Sequence, residues 1–528
     1  MNSAQVMNLG HLLAQTARLY PERLALVQGD KQWTWAEVDE RVSAMVVALR
    51  HMGLRKGDRI LVQSRNNIQL FESSWVAFRS GCVWVPVNFR LTPPEVAYLG
   101  ASSGASAMLY ESDFADHLSA VRAACPTLAH AICIDGRGDQ DNSYEAFVLR
   151  FRRQVPQEVR VSYDDPLWFF YTSGTTGRPK AGVLTHGQMA FVVTNHLADL
   201  IPGTTQTDCS IAVAPLSHGA GIHAMLNVAR GAATVLPPGD RLDPEMVWQL
   251  VEKHRVSNLF TVPTIVKMLV EHPAVDRYDH SSLRYMVYAG APMYRADQQL
   301  ALRKLGKVLV QYFGLGEVTG CITVLTPDMH SAQDDDPQAP AGTCGRARLG
   351  MEITILDETL QPVQQGSIGE ICCRGPAVFA GYHDNALATR NALRGGWFHT
   401  GDLGWMDSRG LLYITGRQSD MYISGGSNVY PREVEEVLLT HPGIAEVAVL
   451  GMPDPKWGEI GVAVIVRRTS HPRLAEDEVM AHLESRCAKY RWPRKVFFWD
   501  ALPKSGYGKI VKNDVRRLLQ EREDALPA

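Results

Sequence analysis

The residues best suited to chemistry form one polar stretch, YTSGTTGRPK, at positions 171–180. Its hydroxyl and backbone N–H groups can donate hydrogen bonds to phosphate oxygens, as anion-binding nests do. Such a composition is also typical of an ordinary surface loop, and the spacing is not that of a Walker loop, which ends in Gly-Lys-Ser/Thr. The stretch therefore predicts a phosphate-binding loop of another kind, made of Thr172, Ser173, Gly174, Thr175, Thr176, Gly177 and Lys180.

This stretch resembles the phosphate-binding loop of the adenylate-forming (AMP-binding) superfamily, and the chain as a whole resembles its acyl-CoA synthetases. The family pattern is approximately (S/T)SGTTGxPKG, and the chain departs from it at Ala181, where glycine is usual. Other family segments follow in the family order over nearly the whole chain. The resemblance implies that ATP, Mg²⁺ and coenzyme A are used, and that Lys180 takes part in catalysis by holding the β and γ phosphates.

Two segments resemble the adenosine-binding parts of the family. The first is YAGAPM at 288–293, whose small residues would let a purine lie against the backbone. The second is QYFGLGE at 311–317, in which Phe313 would stack on adenine and Glu317 would bind Mg²⁺, a cation that prefers oxygen ligands. The resemblance assigns AMP binding to Ala289, Gly290, Ala291, Gln311, Tyr312, Phe313 and Gly314.

Gly316 departs from the family pattern, which has a threonine that hydrogen-bonds the AMP phosphate at this position. Thr319 is a nearby candidate for a substitute donor. One lost neutral hydrogen bond costs about 0.5–1.5 kcal/mol. We therefore expect an active enzyme, in which Gly316→Thr preserves or raises the activity.

The last third of the chain carries further family segments. WFHTGDLG at 397–404 contains Asp402, the implied acceptor for the ribose hydroxyls, and YITGRQSD at 413–420 contains Arg417, its implied partner at the ribose and phosphate. Ser419 stands at the hinge, where Asp or Lys is usual. The resemblance assigns CoA binding to Ser424, Gly425 and Gly426. LPKSGYGKI at 502–510 contains Lys509, which matches the family's catalytic lysine and, by the same resemblance, is expected to contact the nucleotide.

The segment APLSHGAG at 214–221 resembles the part of the family that lies beside the acyl-adenylate, with His218 as the residue next to it and, by this resemblance, a catalytic residue together with Lys180 and Lys509. The expected acid pocket consists of His218, Gly219, Gly221, Ile222 and Leu315. These residues are mostly small or apolar, which favours a hydrophobic acyl or aryl acid. Lys267 could turn inward to meet a second carboxylate, although a solvated lysine is more usual on a helix. His218 and His223 lack the flanking ligands of a metal site.

Several structural elements must position these residues. Short apolar strands alternate with helical patterns, which indicates an α/β protein, and 528 residues exceed a single core. Residues 33–54 have helical spacing, and strands are expected at 59–63, 107–110 and 308–311. In the tail, a helix at 433–439 precedes a strand pair at 445–450 and 460–466. We expect a large N-terminal domain of α/β subdomains, residues 1–417, and a small mobile α+β C-terminal domain, residues 418–528.

The composition excludes several classes of protein. A net charge of −3 provides no field for nucleic acid. Nine cysteines without CxxC pairs favour a reducing compartment. The sequence shows no signal peptide and no apolar run long enough to span a membrane, so we expect a cytoplasmic protein. The oligomeric state stays open, with a homodimer as one option.

Together these features predict an ATP-dependent acyl-CoA synthetase, a ligase that binds a small carboxylic acid, ATP and CoA. The acid would first become acyl-AMP with release of pyrophosphate, and CoA would then form the thioester with release of AMP. Two alternatives stay open at this point. One is an adenylating enzyme that loads a carrier protein in trans, and the other is a non-catalytic nucleotide-binding protein, which the departures at Gly316 and Ser419 would suit.

Overall fold

A computed structural model describes residues 4–137, 142–172, 178–239, 241–291, 293–424, 427–484, 486–505 and 509–524. Two large sheets form the main body. The nine-stranded sheet is parallel through its centre and antiparallel at both edges, in the order β17-β16-β15-β14-β13-β11-β12-β2-β3. Its strands are β2 (Leu24–Gln28), β3 (Lys31–Thr34), β11 (Cys209–Ile211), β12 (Ala233–Leu236), β13 (Asn258–Thr261), β14 (Tyr285–Tyr288), β15 (Leu309–Phe313), β16 (Thr323–Leu325) and β17 (Arg346–Ala347).

The second sheet has six strands in the order β10-β9-β5-β4-β6-β7, and it ends in an antiparallel β9–β10 hairpin that frames the polar stretch. A two-stranded ribbon, β1 with β8, lies apart from it. The bounds are β1 (Gln5–Val6), β4 (Arg59–Gln63), β5 (Val83–Val87), β6 (Ala107–Tyr110), β7 (His130–Cys133), β8 (Val161–Ser162), β9 (Pro166–Thr172) and β10 (Lys180–Thr185).

Two smaller sheets follow along the chain. The first is an antiparallel four-stranded sheet and the second is a mixed five-stranded sheet. Their strands are β18 (Glu352–Leu356), β19 (Gly369–Arg374), β20 (Phe398–Met406) and β21 (Leu412–Arg417), then β22 (Tyr422–Ser424), β23 (Ser427–Val429), β24 (Ile444–Asp454), β25 (Gly458–Arg467) and β26 (Lys495–Trp499).

Helices connect and cover the sheets. Thr34 and Glu37 form a capping box at the start of α2, and Thr185 and Gln188 form another at α7. The α-helices are α1 (His11–Leu19), α2 (Trp35–His51), α3 (Ile68–Ser80), α4 (Pro93–Ser103), α5 (Ala115–Ala124), α6 (Tyr144–Arg150), α7 (His186–Asp199), α8 (Gly219–Arg230), α9 (Pro244–His254), α10 (Pro263–Glu271), α11 (Arg295–Leu305), α12 (Ala386–Ala392), α13 (Pro431–Leu439), α14 (Glu476–Glu484) and α15 (Lys512–Asp524).

The largest hydrophobic core joins α3 and α8 to residues of both large sheets, among them Trp84 and Trp168 from one sheet and Val310 and Tyr312 from the other. Nearly every position of α3 and α8 is buried. The start of α8 is therefore fixed by packing on several sides.

The α/β class is confirmed, and so are most of the expected elements. The predicted helix at 33–54 is Trp35–His51, the strand at 308–311 is Leu309–Phe313, and the tail strands form an antiparallel pair. β21 ends at Arg417, and the next strand, β22, belongs to another sheet with separate cores. The 417/418 boundary and the mobility of the tail stay predictions. In the described part of the chain, no helix has the length and apolarity needed to cross a membrane.

Candidate active site

The two predicted adenosine-binding segments lie at the carboxyl ends of the adjacent parallel strands β14 and β15, and β13 pairs with β14 on its other side. The register pairs Thr261 with Tyr288 and Tyr288 with Gln311, so the loops after these strands leave the sheet side by side. This edge of an open parallel sheet is where ligands bind in α/β proteins. Ala289 is buried, and Gly290 is exposed with a φ of 86°, which favours glycine.

Side chains alternate along β15, so the residues predicted to contact adenosine face two different sides of the sheet. Gln311 and Phe313 are half-buried, and Gln311 Oε1 accepts a hydrogen bond from the Tyr288 hydroxyl at 3.1 Å. Tyr312 faces the opposite way. Its ring lies in the main core, stacked on Phe260 at 5.8 Å between centroids. The side chain of Tyr312 therefore packs in the core, and its assignment to nucleotide binding stays a prediction.

Glu317 lies in a 3₁₀ turn, Gly316–Val318, and is the most confined acid of the site. It is 5% exposed, and Oε1 accepts hydrogen bonds from Thr172 Oγ1 and from the Tyr382 hydroxyl, both at 2.9 Å. Oε2 is buried and has no partner among the described residues. A free carboxylate oxygen of this kind fits a bound Mg²⁺, which prefers such ligands.

Tyr382 was not found by the sequence analysis, because nothing in its own loop marks it as a site residue. Its hydroxyl donates to Glu317, and its ring centroid lies 5.5 Å from Lys180 Nζ, within the range of a cation–π contact. Burial and Glu317 raise the pKa of Tyr382, so the phenol remains a hydrogen-bond donor. Lys180 is paired in register with Thr172 across the β9–β10 hairpin. Thus Thr172, Lys180, Glu317 and Tyr382 form one cluster.

Some predicted residues lie outside the described residues. They are Ser173, Gly174, Thr175, Thr176 and Gly177 of the polar stretch and Gly425 and Gly426 of the predicted CoA site. Ser424 is described, and it ends β22, where it pairs with Ser427 and Gly458. Ser419 donates to Asp420 Oδ1 at 3.3 Å.

Asp402 and Arg417 lie directly opposite each other on β20 and β21. Arg417 Nε donates to Asp402 Oδ1 at 3.1 Å, and Asp402 is buried. Burial raises the pKa of Asp402, while Arg417 and Lys509 act against that rise. The second carboxylate oxygen leaves Asp402 able to accept a further hydrogen bond, as a ribose hydroxyl requires.

Lys509 reaches the same cleft from the C-terminal region. Its Cε lies 3.7 Å from the point that a Cβ on Gly290 would occupy. Burial and the positive charge of Arg417 lower the pKa of Lys509, whereas the negative charges of Asp402 and Glu317 act in the opposite direction. Lys509 in turn lowers the pKa of His218. The structure therefore places Lys509, the predicted catalytic lysine, within electrostatic range of Asp402, Glu317 and His218.

His218 precedes α8 and lies against the ring of Phe170, with 4.3 Å between centroids. Burial and Lys509 lower the pKa of His218 to about 3, so the ring is neutral at pH 7. Gly219, Gly221 and Ile222 are buried, and Leu315 is half-buried against the main core. A Cβ on Gly219 would lie 2.6 Å from the Phe260 ring, and one on Gly221 would lie 2.1 Å from the Leu216 carbonyl oxygen, so both glycines allow close packing at this wall.

Two other residues discussed above have different partners. Lys267 Nζ lies 3.3 Å from Asp297 Oδ1 and donates to the Ala445 carbonyl at 3.4 Å, so it contacts the C-terminal region rather than an acid in the pocket. His223 Nε2 lies 2.7 Å from Asn258 Oδ1 in the interior.

The space around Gly316 argues against the expectation that Gly316→Thr preserves activity, and that expectation stays a prediction. A Cβ on Gly316 would lie 2.6 Å from Phe170 Cδ1 and 2.8 Å from Thr172 Cγ2. Both neighbours belong to a packed strand and cannot move aside easily. Thr319 does not replace the missing threonine either, because it is buried and its hydroxyl points to Cys321 Sγ.

Comparison with known proteins gives concordant results over nearly the full chain. A sequence profile described as AMP-binding enzyme matches residues 13–383, and one described as AMP-binding enzyme C-terminal domain matches residues 433–509. The chain is 35% identical to a feruloyl-CoA synthase of Amycolatopsis sp. over 96% of its own length and 98% of that protein. It is 32% identical to an indoleacetate–CoA ligase of Aromatoleum aromaticum over 98% of its length and 99% of that protein.

A solved structure is similar over the same extent. ATP-bound MatB from Rhodopseudomonas palustris superimposes with a TM-score of 0.86 at 28% identity, covering 97% of this chain and 99% of that chain.

Proposed function

This chain belongs to the AMP-binding enzyme family and is an AMP-forming carboxylate–CoA ligase, and we propose that its acid is a hydrophobic aryl or acyl carboxylic acid. The observation that supports the acid class is the uncharged character of the predicted pocket. Gly219, Gly221, Ile222 and Leu315 carry no charge, and the lowered pKa of His218 keeps its ring neutral. The two curated relatives are named for acids that carry an aromatic ring, which agrees with this choice.

The first half-reaction brings two anions together, so the main task of the site is to stabilise negative charge. A carboxylate oxygen of the acid attacks the α-phosphorus of ATP, and pyrophosphate leaves. Lys180 holds the leaving phosphates, Phe313 stacks on adenine, and Asp402 accepts hydrogen bonds from the ribose. Lys509 interacts electrostatically with Asp402 and Glu317 and would offset the negative charge that develops at the α-phosphate.

Glu317 is the proposed Mg²⁺ ligand, because its buried Oε2 has no other partner in the described part of the chain. Mg²⁺ bound there would offset phosphate charge. Thr172 and Tyr382 fix the carboxylate through Oε1 and leave Oε2 directed elsewhere.

In the second half-reaction the CoA sulfur attacks the acyl carbonyl carbon, the thiol proton leaves, and AMP departs. Ser424, Gly425 and Gly426 are the proposed contacts of the pantetheine arm. The nine cysteines are free thiols, eight of them buried, which supports the cytoplasm as the compartment.

The test is AMP formation from MgATP and CoA across a panel of acids that spans acetate, long-chain fatty acids, benzoates, cinnamates and malonate. We expect AMP together with the matching acyl-CoA for aryl or apolar acids. Turnover confined to malonate would overturn the proposed acid class. Acyl-AMP without thioester would indicate another acyl acceptor, such as a carrier protein, and an absence of AMP with every acid would contradict the ligase activity.

A further inference from the structure

Phe170 fills the space between two parts of the site that are remote in sequence. It lies on β9, two residues before Thr172, and is buried. On one side its ring lies 4.3 Å from the His218 ring, centroid to centroid and tilted by 39°. On the other side Cδ1 and Cε1 lie 2.6 and 2.7 Å from the point that a Cβ on Gly316 would occupy. One aromatic ring thus separates the start of α8 from the turn that carries Glu317.

The Phe170 ring lies where the carboxylate end of the proposed acid would bind, rather than where its tail would bind. His218 is the proposed neighbour of the acyl group, and Gly316 is the position at which the family pattern implies a threonine beside the AMP phosphate. The acyl-adenylate joins these two groups through its mixed anhydride. A ring that touches both His218 and the backbone of Gly316 therefore limits the room next to the reacting carbonyl.

The ring has little freedom to retreat. Trp168, two residues earlier on the same face of β9, lies beside Phe170 at 5.4 Å between centroids, and Trp168 contacts Trp84 at 4.5 Å. Protein interiors of this kind are close-packed and transmit any displacement to their neighbours. A rigid wall next to the carbonyl would exclude an extra substituent on the adjacent carbon.

We propose that Phe170 is a specificity-determining residue which, together with Gly316, narrows the pocket at the carboxylate end and excludes acids branched next to the carboxylate. The proposal rests on the proposed function and specifies its substrate class. It also explains Gly316: the phenyl ring and a side chain at position 316 would occupy the same volume, so the chain has the ring and no side chain.

The test compares each acid with its branched analogue. The probes are cinnamate with α-methylcinnamate and hexanoate with 2-methylhexanoate, and the measured quantity is the ratio of kcat/KM for AMP formation within each pair. One extra methyl group changes kcat/KM by about 10- to 200-fold when a pocket excludes it. We expect at least about tenfold preference for an unbranched acid, and Phe170→Leu should reduce that preference by about tenfold.

Phe169→Leu is the matched control. Phe169 is adjacent on β9 and equally buried, but it faces the opposite side of the sheet, against His383 at 4.5 Å. Phe169→Leu should lower the stability without changing the ratio of kcat/KM between the two acids of a pair. That ratio does not depend on the fraction of enzyme that is folded. Equal ratios in the wild type, Phe170→Leu and Phe169→Leu would overturn the proposal, whereas an absence of AMP from every acid in the wild type would contradict the proposed function instead.

A second comparison tests the link to Gly316. Gly316→Ala should reduce kcat/KM for all acids, and it should do so less in a Phe170→Leu background, because the shorter side chain leaves room for the new Cβ. Residues in contact show such non-additive effects. If Phe170→Leu does not fold, Phe170→Met replaces it, since methionine adapts to irregular space. Additive effects of the two substitutions would overturn the steric pairing.

Discussion

Glu317 shows how neighbouring hydroxyl groups can prepare a carboxylate for a cation. Thr172 and Tyr382 both donate to Oε1, while Oε2 is buried without a partner among the described residues. A buried carboxylate oxygen that lacks a donor destabilises the protein. The arrangement becomes favourable when a cation meets Oε2, so the two donors determine which oxygen binds it.

Removing one of these donors should weaken metal-dependent binding. Tyr382→Phe deletes a hydrogen bond to a charged group and should raise the KM for MgATP about tenfold. The measurement is initial rate against MgATP at fixed acid and CoA. Tyr285→Phe is the control, because that hydroxyl donates to the Pro202 carbonyl at the other end of β14. Equal KM values for the two variants would contradict the role of Tyr382.

Lys509 should serve the first half-reaction only. Lys509→Ala should slow acyl-AMP formation by about 10²- to 10³-fold, because it removes a preorganised charge. Thioester formation from synthetic acyl-AMP and CoA should stay near the wild-type rate. Lys504→Ala provides a control from the same segment, since Lys504 forms an ion pair with Glu446 instead. Loss of both half-reactions in Lys509→Ala would contradict this division.

At the scale of elements, the β20–β21 hairpin positions Asp402, the proposed ribose-binding group. Its register places Asp402 opposite Arg417, while Arg409 pairs with Asp407 in the connecting turn. Both arginines belong to one hairpin. Comparing variants of the two therefore distinguishes an effect on nucleotide binding from an effect on folding.

Arg417→Gln should raise the KM for ATP by about tenfold, because it removes a charge-assisted hydrogen bond that holds Asp402. Arg409→Gln should leave that KM unchanged. Both variants should keep similar melting temperatures, since both side chains are about half exposed. A similar KM in both variants would show that Arg417 contributes only to the hairpin.

Local patterns in the sequence were sufficient to predict β4, β6, α2 and the strand pair β24–β25, because each has a clear period and clear ends. The alternation of side chains along a strand also predicts that Tyr312 and Phe313 face opposite sides of β15. Tyr382 and Phe170 could not be assigned in this way. Their roles depend on contacts with Glu317, His218 and Gly316, which lie far away in sequence and meet only in the folded chain.

At the scale of the whole molecule, the described contacts between the N-terminal and C-terminal regions include several weak polar ones. Arg468 and Glu271 lie 3.4 Å apart on the surface, Lys267 donates to the Ala445 carbonyl at 3.4 Å, and the Arg295 N–H donates to Glu436 at the same distance. The exposed Arg468–Glu271 pair contributes little free energy. Long polar contacts of this kind are compatible with the prediction that the C-terminal domain is mobile.

The N-terminal region, by contrast, contains several histidines that are buried in the neutral form. Burial lowers the pKa of His186, His223 and His330 to about 4, and it lowers the pKa of His196 well below its usual value. An unfolded chain would bind protons at these rings near pH 6.5. Since the unfolded state then holds more protons than the folded state, the stability is fully present above about pH 6.5 and decreases as the pH falls towards 4.

Each such histidine adds up to about 1.4 kcal/mol per pH unit to this slope. We therefore expect the free energy of unfolding, measured by urea denaturation, to decrease steeply between pH 6.5 and 5. His330→Gln should reduce the slope of the unfolding free energy against pH by about the contribution of one histidine. The substitution removes one titrating ring, which contacts Tyr288 and Thr326. His471→Gln is the control substitution, since His471 is exposed on the surface. An unchanged slope in His330→Gln would show that other groups cause the acid sensitivity.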